Sequence, residues 1–489
     1  NINHMSDPCD LSAIDAREQI EKKTLSPREL VDSCIARTEA VDGRLNAMVA
    51  TCYDRAREEA VMAEKAVMQG LALGPLHGLP LGVKDLNVTK GLRTTFGSEL
   101  HANFIPDNDE RIIADLRQAG AIVLGKTNTP EFGAGANTTN RVYGATGNPF
   151  DPNRICGGSS GGSAVALACG MVPLATGSDT GGSLRTPASF CGIASHRGTP
   201  GLVPSDRRAI GLTTYNVQGP MARNVPDTGL MLSAMAAHLP CDPLSGPVDS
   251  ATFATIEQVD LSTLRVAWSP NLGSVPVDQR IAKTFEERID LISSVFEYCE
   301  RHDPEMQSAL DTFWIIRGVH FLAAQFNAYQ NTPDKLGPNV TSNVEAALAM
   351  TPQDIGWAMA EQTRLYRSFQ RFFEDYDLLL CPGSSVPPFP LEQLYCEEIN
   401  GEPTRNYVEW LGIASAITLT GHPVTLVPIG LDHTSTPLGM QVVGPRRHSD
   451  AFTLAAASAI EKELQTHTRT RRPIPDINTL SAAARVSHA

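Results

Sequence analysis

The chain has 489 residues, with 42% hydrophobic and 19% charged side chains, a globular balance that excludes a mostly disordered protein. Forty basic against 54 acidic residues give a net charge of −14. That excess of carboxylates argues against binding nucleic acid or an anionic membrane, which needs clustered positive charge. Length alone sets a soft prior of about three domains, although a single α/β domain can run this long. The longest apolar run, residues 164–175, is too short to span a bilayer and is broken by Gly170 and Pro173. The ten cysteines form no C-x-x-C pair, so neither a zinc knuckle nor a dithiol redox site is expected. Asn1 to His4 read as an expression remnant before a start at Met5, with no leader pattern after it. The expected setting is therefore cytoplasmic, with free thiols.

Along the chain, Ser26-Pro27-Arg28-Glu29 predicts a helix start: a capping Ser, a Pro at the first helical position and a Glu at the third. Leu30, Val31, Cys34, Ile35, Thr38 and Val41 then repeat at helical spacing and form one apolar face. A second helix is predicted over 55–69. The texture then changes to short apolar strands, 79–83 and 121–125, with a helix over 110–119 between them. This alternation points to an α/β fold with a sheet covered on both faces. Residues 125–204 are rich in Gly, Ser, Thr and Asn. The segment 249–373 reads as mainly helical, including 278–299 and 311–329. Strands return at 378–380, 424–427 and 439–443, followed by a helix over 451–464 and a basic tail expected to be loosely ordered.

Three segments carry candidate chemistry: Gly78-Leu79-Pro80-Leu81-Gly82-Val83-Lys84-Asp85, Gly157-Gly158-Ser159-Ser160-Gly161-Gly162 and Gly177-Ser178-Asp179-Thr180-Gly181-Gly182-Ser183. A lysine that ends an apolar strand is open to desolvation, which lowers its pKa and frees the neutral amine to act as a base. Glycines around a serine let backbone N–H groups approach a ligand and stabilise an oxyanion. Other readings compete. Gly120 through Gly125-Lys126-Thr127 matches a phosphate-loop pattern, but its middle residues are the apolar strand itself. Gly157 to Gly161 matches the G-x-S-x-G nucleophile elbow, which would need a downstream acid and His422 or His448. Cys156, Cys169 and Cys191 offer a thiol nucleophile, against the simpler reading of small core residues.

Taken together, the three segments resemble the amidase signature family. Lys84 and Ser159 lie 75 residues apart, and Ser159 and Ser183 lie 24 apart, as in that family. Gly125-Lys126-Thr127-Asn128, Glu131-Phe132, Asn148-Pro149, Pro187, Cys191-Gly192, Gly421-His422-Pro423, Pro428-Ile429-Gly430 and Pro437-Leu438-Gly439-Met440-Gln441 extend the match. The sequence departs from the pattern at Cys156, where a proline is usual, and at Ser195 and Gly198.

The resemblance implies an amidase-signature fold, an α/β architecture with a mixed central β-sheet flanked by α-helices. It implies one domain over 5–478, a catalytic core at 76–204 and a variable helical, substrate-shaping segment at 249–373. It further implies a Ser–Ser–Lys triad: Ser183 as nucleophile, Ser159 (reached through a cis peptide from Gly158) as proton relay, and Lys84 as base. Thr180, Gly181, Gly182 and Ser183 would supply the oxyanion-hole amides, and Asp179 and Arg185 would hold the loop. Ser160 is the neighbour most easily confused with Ser159, and Ser178 reads as structural. Amide hydrolysis through an acyl-enzyme is the implied reaction, with esters and carbamates within reach of the same triad. The alternative is the glutaminase subunit of a tRNA-dependent amidotransferase, and a third reading is a scaffold with a dead site. No metal and no organic cofactor is implied. The expected partner is a small-molecule amide, with no nucleic acid or membrane, and homodimers are common in the family. Phe313 and Trp314, with Phe321, Phe326 and Tyr329 near them, are the candidates for an apolar or aromatic substrate pocket.

Overall fold

The computed structural model describes residues 7–486, so the expected remnant at 1–4 and the start at Met5 lie outside the described residues. An 11-stranded mixed sheet forms the centre. From edge to edge its strands are Met48–Thr51, Ile122–Thr127, Pro80–Lys84, Leu174–Asp179, Val217–Ala222, Ala194–Arg197, Val424–Leu431, Pro437–Val443, Leu378–Pro382, Arg265–Trp268 and Tyr298–Arg301. Pro80–Lys84 runs parallel to both its neighbours, Ile122–Thr127 and Leu174–Asp179. From Leu174–Asp179 to Leu378–Pro382 the pairing is antiparallel throughout. Pro80–Lys84, Ile122–Thr127, Leu378–Pro382 and Pro437–Val443 are buried at every residue, as expected of strands covered by helices on both faces. The α/β class and the mixed sheet flanked by helices are thus as expected from the sequence.

Local signals placed most helices. Helix Pro27–Leu45 begins with the capping box of Ser26 and Glu29, and all six residues of its apolar face are buried. The helices predicted over 55–69, 110–119, 311–329 and 451–464 are Tyr53–Met68, Arg111–Gln118, Ala309–Asn331 and Asp450–Thr466. Two expectations are corrected. The helix predicted over 278–299 is Gln279–Ile292, and Cys299 belongs to the edge strand Tyr298–Arg301, paired in parallel with Arg265–Trp268. That strand is mostly exposed, so its pattern carries little signal, and the pairing offered by its neighbour decides its conformation. The basic tail is tied down: Arg472 Nε donates to the Gly192 carbonyl (2.9 Å), and helix Ile477–Val486 packs on Pro27–Leu45. No described helix is long and apolar enough to cross a membrane.

Candidate active site

Because the strands Pro80–Lys84 and Leu174–Asp179 run parallel, Lys84 and the pair Ser178, Asp179 emerge at the same edge of the sheet. Ser159 and Ser160 lie just before helix Gly161–Ala168, and Ser183 lies in the turn between strand Leu174–Asp179 and helix Arg185–Cys191. The fold thereby brings together three segments that are distant in sequence. Lys84 Nζ hydrogen-bonds the hydroxyls of Ser159 (2.7 Å), Ser160 (2.9 Å) and Ser178 (2.8 Å). The Gly158–Ser159 peptide is cis. Burial pushes the Lys84 ammonium down to about 7, with the charge of Asp179 opposing only in part. An amine lowered to that value is available in its neutral, basic form near neutral pH, with three hydroxyls around it as hydrogen-bond partners.

The geometry separates the two adjacent serines. Ser160 accepts from the Ser178 N–H (3.2 Å), donates to the Ser178 carbonyl (3.3 Å) and is fully buried. Ser159 instead lines a cavity of about 170 Å³ together with Ser178, Thr180, Gly181 and Ser183. Ser160 also ties the loops together, its N–H donating to the Ser183 carbonyl (3.3 Å). Ser178, read from sequence as structural, is a direct partner of the lysine and faces the cavity.

Asp179 organises the turn that carries Ser183. It accepts from the N–H groups of Gly182 (3.0 Å) and Leu184 (3.1 Å), from Arg185 Nε and Nη2 (both 3.0 Å) and from Arg197 Nη1 (3.0 Å). Burial alone would raise this carboxyl, but Arg185 and Arg197 hold it well below the usual carboxylate range. Arg185 in turn donates to the Ala414 carbonyl (2.7 Å), Thr418 Oγ1 (2.8 Å) and Gln441 Oε1 (2.9 Å). The turn needs glycine at two positions. Gly182 has φ +126°, and a Cβ on Gly181 would lie 2.7 Å from the Phe313 ring. Gly182 is corrected as an oxyanion donor, since its amide points at Asp179. Among the described residues, the amides of Thr180, Gly181 and Ser183 have no protein acceptor.

Of the two residues expected from the sequence to line a substrate pocket, the structure brings one to the cavity. Phe313 lines the cavity and stacks on Tyr215 at 5.6 Å, and Phe321, further along the same helix, lines it too. Trp314 is turned away: about 100° around helix Ala309–Asn331 from Phe313, it packs edge-on against Tyr407 at 6.2 Å. Tyr329 packs outside the cavity beside Leu336 and Val340. Phe313→Ala is expected to change the ranking of amide substrates several-fold or more, and Trp314→Ala to leave it unaltered. Relative kcat/KM over a panel of acyl and aryl groups checks this; identical rankings in both variants would remove Phe313 from the pocket.

The competing sequence readings fail on position. Lys126 lies inside strand Ile122–Thr127, fully buried, bonded to Thr89 Oγ1 (2.9 Å) and Thr94 Oγ1 (3.1 Å) and 3.8 Å from Asp85, with no room for a phosphate. His422 is occupied by Gln370 (3.1 Å) and stacked on Phe373, while Lys84 takes the place beside Ser159 that a histidine would need. Cys156, Cys169 and Cys191 are buried, and desolvation raises each thiol, Cys156 to about 12. Sequence reasoning missed Arg197, the second guanidinium on Asp179. Its only signal is a charged residue closing the buried strand Ala194–Arg197.

A family profile described as Amidase matches residues 29–452. The chain is 32% identical over 454 residues to an acylamidase of Rhodococcus erythropolis, covering 92% of this chain and 95% of that one. It is 31% identical to one of the subunits of the glutamyl-tRNA(Gln) amidotransferase of Moorella thermoacetica, covering 94% and 98%. Among solved structures, a bacterial aryl acylamidase of the amidase signature family superposes with a TM-score of 0.85 at 27% identity, covering 93% and 96%. The chain belongs to the amidase signature family of hydrolases.

Proposed function

We propose that this chain hydrolyses carboxylic amides on its own, with Ser183 as nucleophile, Ser159 as relay and Lys84 as base. The observation that carries the reading is the fully buried Lys84 amine hydrogen-bonded to Ser159, whose hydroxyl shares one cavity with Ser183. The Ser183 proton passes through Ser159 to neutral Lys84 as Ser183 Oγ attacks the carbonyl carbon. The amides of Thr180, Gly181 and Ser183 receive the developing oxyanion. The proton returns through Ser159 to the leaving amine, and water then hydrolyses the acyl-enzyme by the same relay. The walls formed by Leu86, Phe132, Phe313, Phe321, Val408 and Leu411 suit an apolar or aryl group, and esters and aryl carbamates meet the same tetrahedral geometry.

The test is amine or ammonia release by the purified chain from aliphatic amides, anilides, glutamine and aryl carbamates, with Ser183→Ala as control. Release from anilides or aliphatic amides that vanishes in the control supports the reading. No turnover and no labelling of Ser183 by a serine-reactive probe would overturn it. The second reading, favoured by the likeness to the amidotransferase component, is a glutaminase that works with a partner. It predicts release from glutamine alone and co-purification of a second chain.

A pH profile follows from the lysine. Only the neutral amine accepts the proton, and the amine is protonated below about 7, so activity is lost as pH falls through that value. We expect kcat/KM to drop roughly tenfold per pH unit below the inflection and to level off above it. A profile flat to pH 5 would exclude Lys84 as the base.

A further inference from the structure

One charged side chain in the cavity is left unexplained by the chemistry above. Among the described residues that line it, Arg317 is the only one with a formal charge. It sits in the middle of helix Ala309–Asn331, one turn from Phe313 and from Phe321, and is 6% exposed. Arginines in this protein are ordinarily buried against carboxylates or carbonyls: Arg185 and Arg197 hold Asp179, Arg208 holds Asp242, and Arg223 holds four carbonyls. Among the described residues Arg317 has neither. Its one hydrogen bond there runs from Nη2 to the Tyr407 hydroxyl (2.5 Å), a neutral acceptor, and its Nε is buried with no partner among them.

The surroundings fix this guanidinium without neutralising it. It lies over the Phe321 ring at 4.6 Å and over the Tyr407 ring at 5.5 Å. Aromatic faces hold the plane of a guanidinium and leave its edge of N–H donors available. A cation left unpaired among apolar walls is unfavourable, and an incoming anion removes that penalty. The planar fork of donors matches a carboxylate.

We propose that Arg317 is a specificity residue that receives a carboxylate of the substrate, so that the preferred substrates are apolar or aryl amides carrying one negative charge. This rests on reading the cavity as the amide-hydrolysing site. Arg317 binds the end of the substrate remote from the scissile bond, and Phe313 and Phe321 pack on the apolar part between them. The molecule's net charge of −14 gives no general attraction for an anion, so the preference must come from this one side chain.

Binding tests the inference separately from turnover. The full chain carrying Ser183→Ala is titrated calorimetrically with two matched pairs. The first is succinanilate and butyranilide, which differ at the end of the acyl chain. The second is 4-acetamidobenzoate and 4-methylacetanilide, which differ on the aryl ring. The expected result is a preference of tenfold or more for the anion in at least one pair. That preference should fall to about one in Ser183→Ala/Arg317→Gln and be partly kept with Arg317→Lys, which retains charge but loses the fork. Equal binding of anion and neutral partner in both pairs would overturn the proposal without any Arg317 variant, as would a preference that survives Arg317→Gln. An anion preference in a chain that hydrolyses no amide would leave the carboxylate site standing and overturn the hydrolase reading. Amide turnover with no such preference would do the reverse.

Discussion

Ser183→Ala is expected to lower kcat by about 10⁴-fold or more while leaving the melting temperature within about 2 °C of wild type. Under the proposed mechanism, the catalytic loss follows from removing the hydroxyl that forms the acyl-enzyme. The unchanged stability follows from the structure: Ser183 is part-exposed, and among the described residues its hydroxyl has no hydrogen-bond partner, so its removal strands no buried partner. The hydroxyls of Ser159 and Ser183 are not hydrogen-bonded to each other, although both open on the same cavity. Groups that act as one relay are strongly non-additive. The double variant Ser159→Ala/Ser183→Ala should therefore be scarcely slower than Ser183→Ala alone. Steady-state kinetics with a chromogenic anilide, beside a thermal melt, decides both points. Residual turnover above a few per cent in Ser183→Ala would place the nucleophile elsewhere.

Asp179→Ala is expected to be the most damaging single change to the fold near the site, destabilising the protein by about 3–5 kcal/mol. Asp179 and Arg185 are fully inaccessible and Arg197 is 1% exposed, so removing the carboxylate leaves two guanidiniums buried around no counter-charge. The N–H groups of Gly182 and Leu184 lose their acceptor at the same time. At about 1 °C per kcal/mol for a chain of this length, the melting temperature should fall by roughly 3–5 °C. Turnover should fall with it, since the same carboxylate shapes the turn that presents Ser183 and the free amides. A melt within about 1 °C of wild type would show that the three-charge cluster is not what holds the turn. The contrast between the two variants separates chemistry from scaffold. One removes an unbonded hydroxyl from a cavity wall; the other removes the hub of a buried network.

Much of the site is legible without the fold. The three Gly- and Ser-rich segments and the 75- and 24-residue spacings single out Lys84, Ser159 and Ser183 as a set, and the structure brings all three to one edge of the sheet. The choice between Ser159 and Ser160 rests on spacing alone; their orientations differ because Ser160 is captured by the Ser178 backbone. Trp314 is misplaced by sequence because adjacent helical residues share composition but point about 100° apart, and only the packing of helix Ala309–Asn331 decides which faces the cavity. Cys299 reads as helical because an exposed edge strand carries almost no hydrophobic pattern.

The sequence by itself determined the α/β alternation, the capped helix at Ser26, the residue types of the site and the glycines that the turn around Gly181 and Gly182 requires. These depend on local backbone preference and on hydrophobic period, which are properties of neighbouring residues. Only the tertiary structure decided that burial lowers the Lys84 ammonium to about 7, that Asp179 is shared by Arg185 and Arg197, that the Gly182 amide faces inward, and that Arg317 is the one formally charged residue among the described residues lining the cavity. Each of these depends on desolvation and on charges brought together from distant segments. Such effects exist only once water has been excluded from the place where those segments meet.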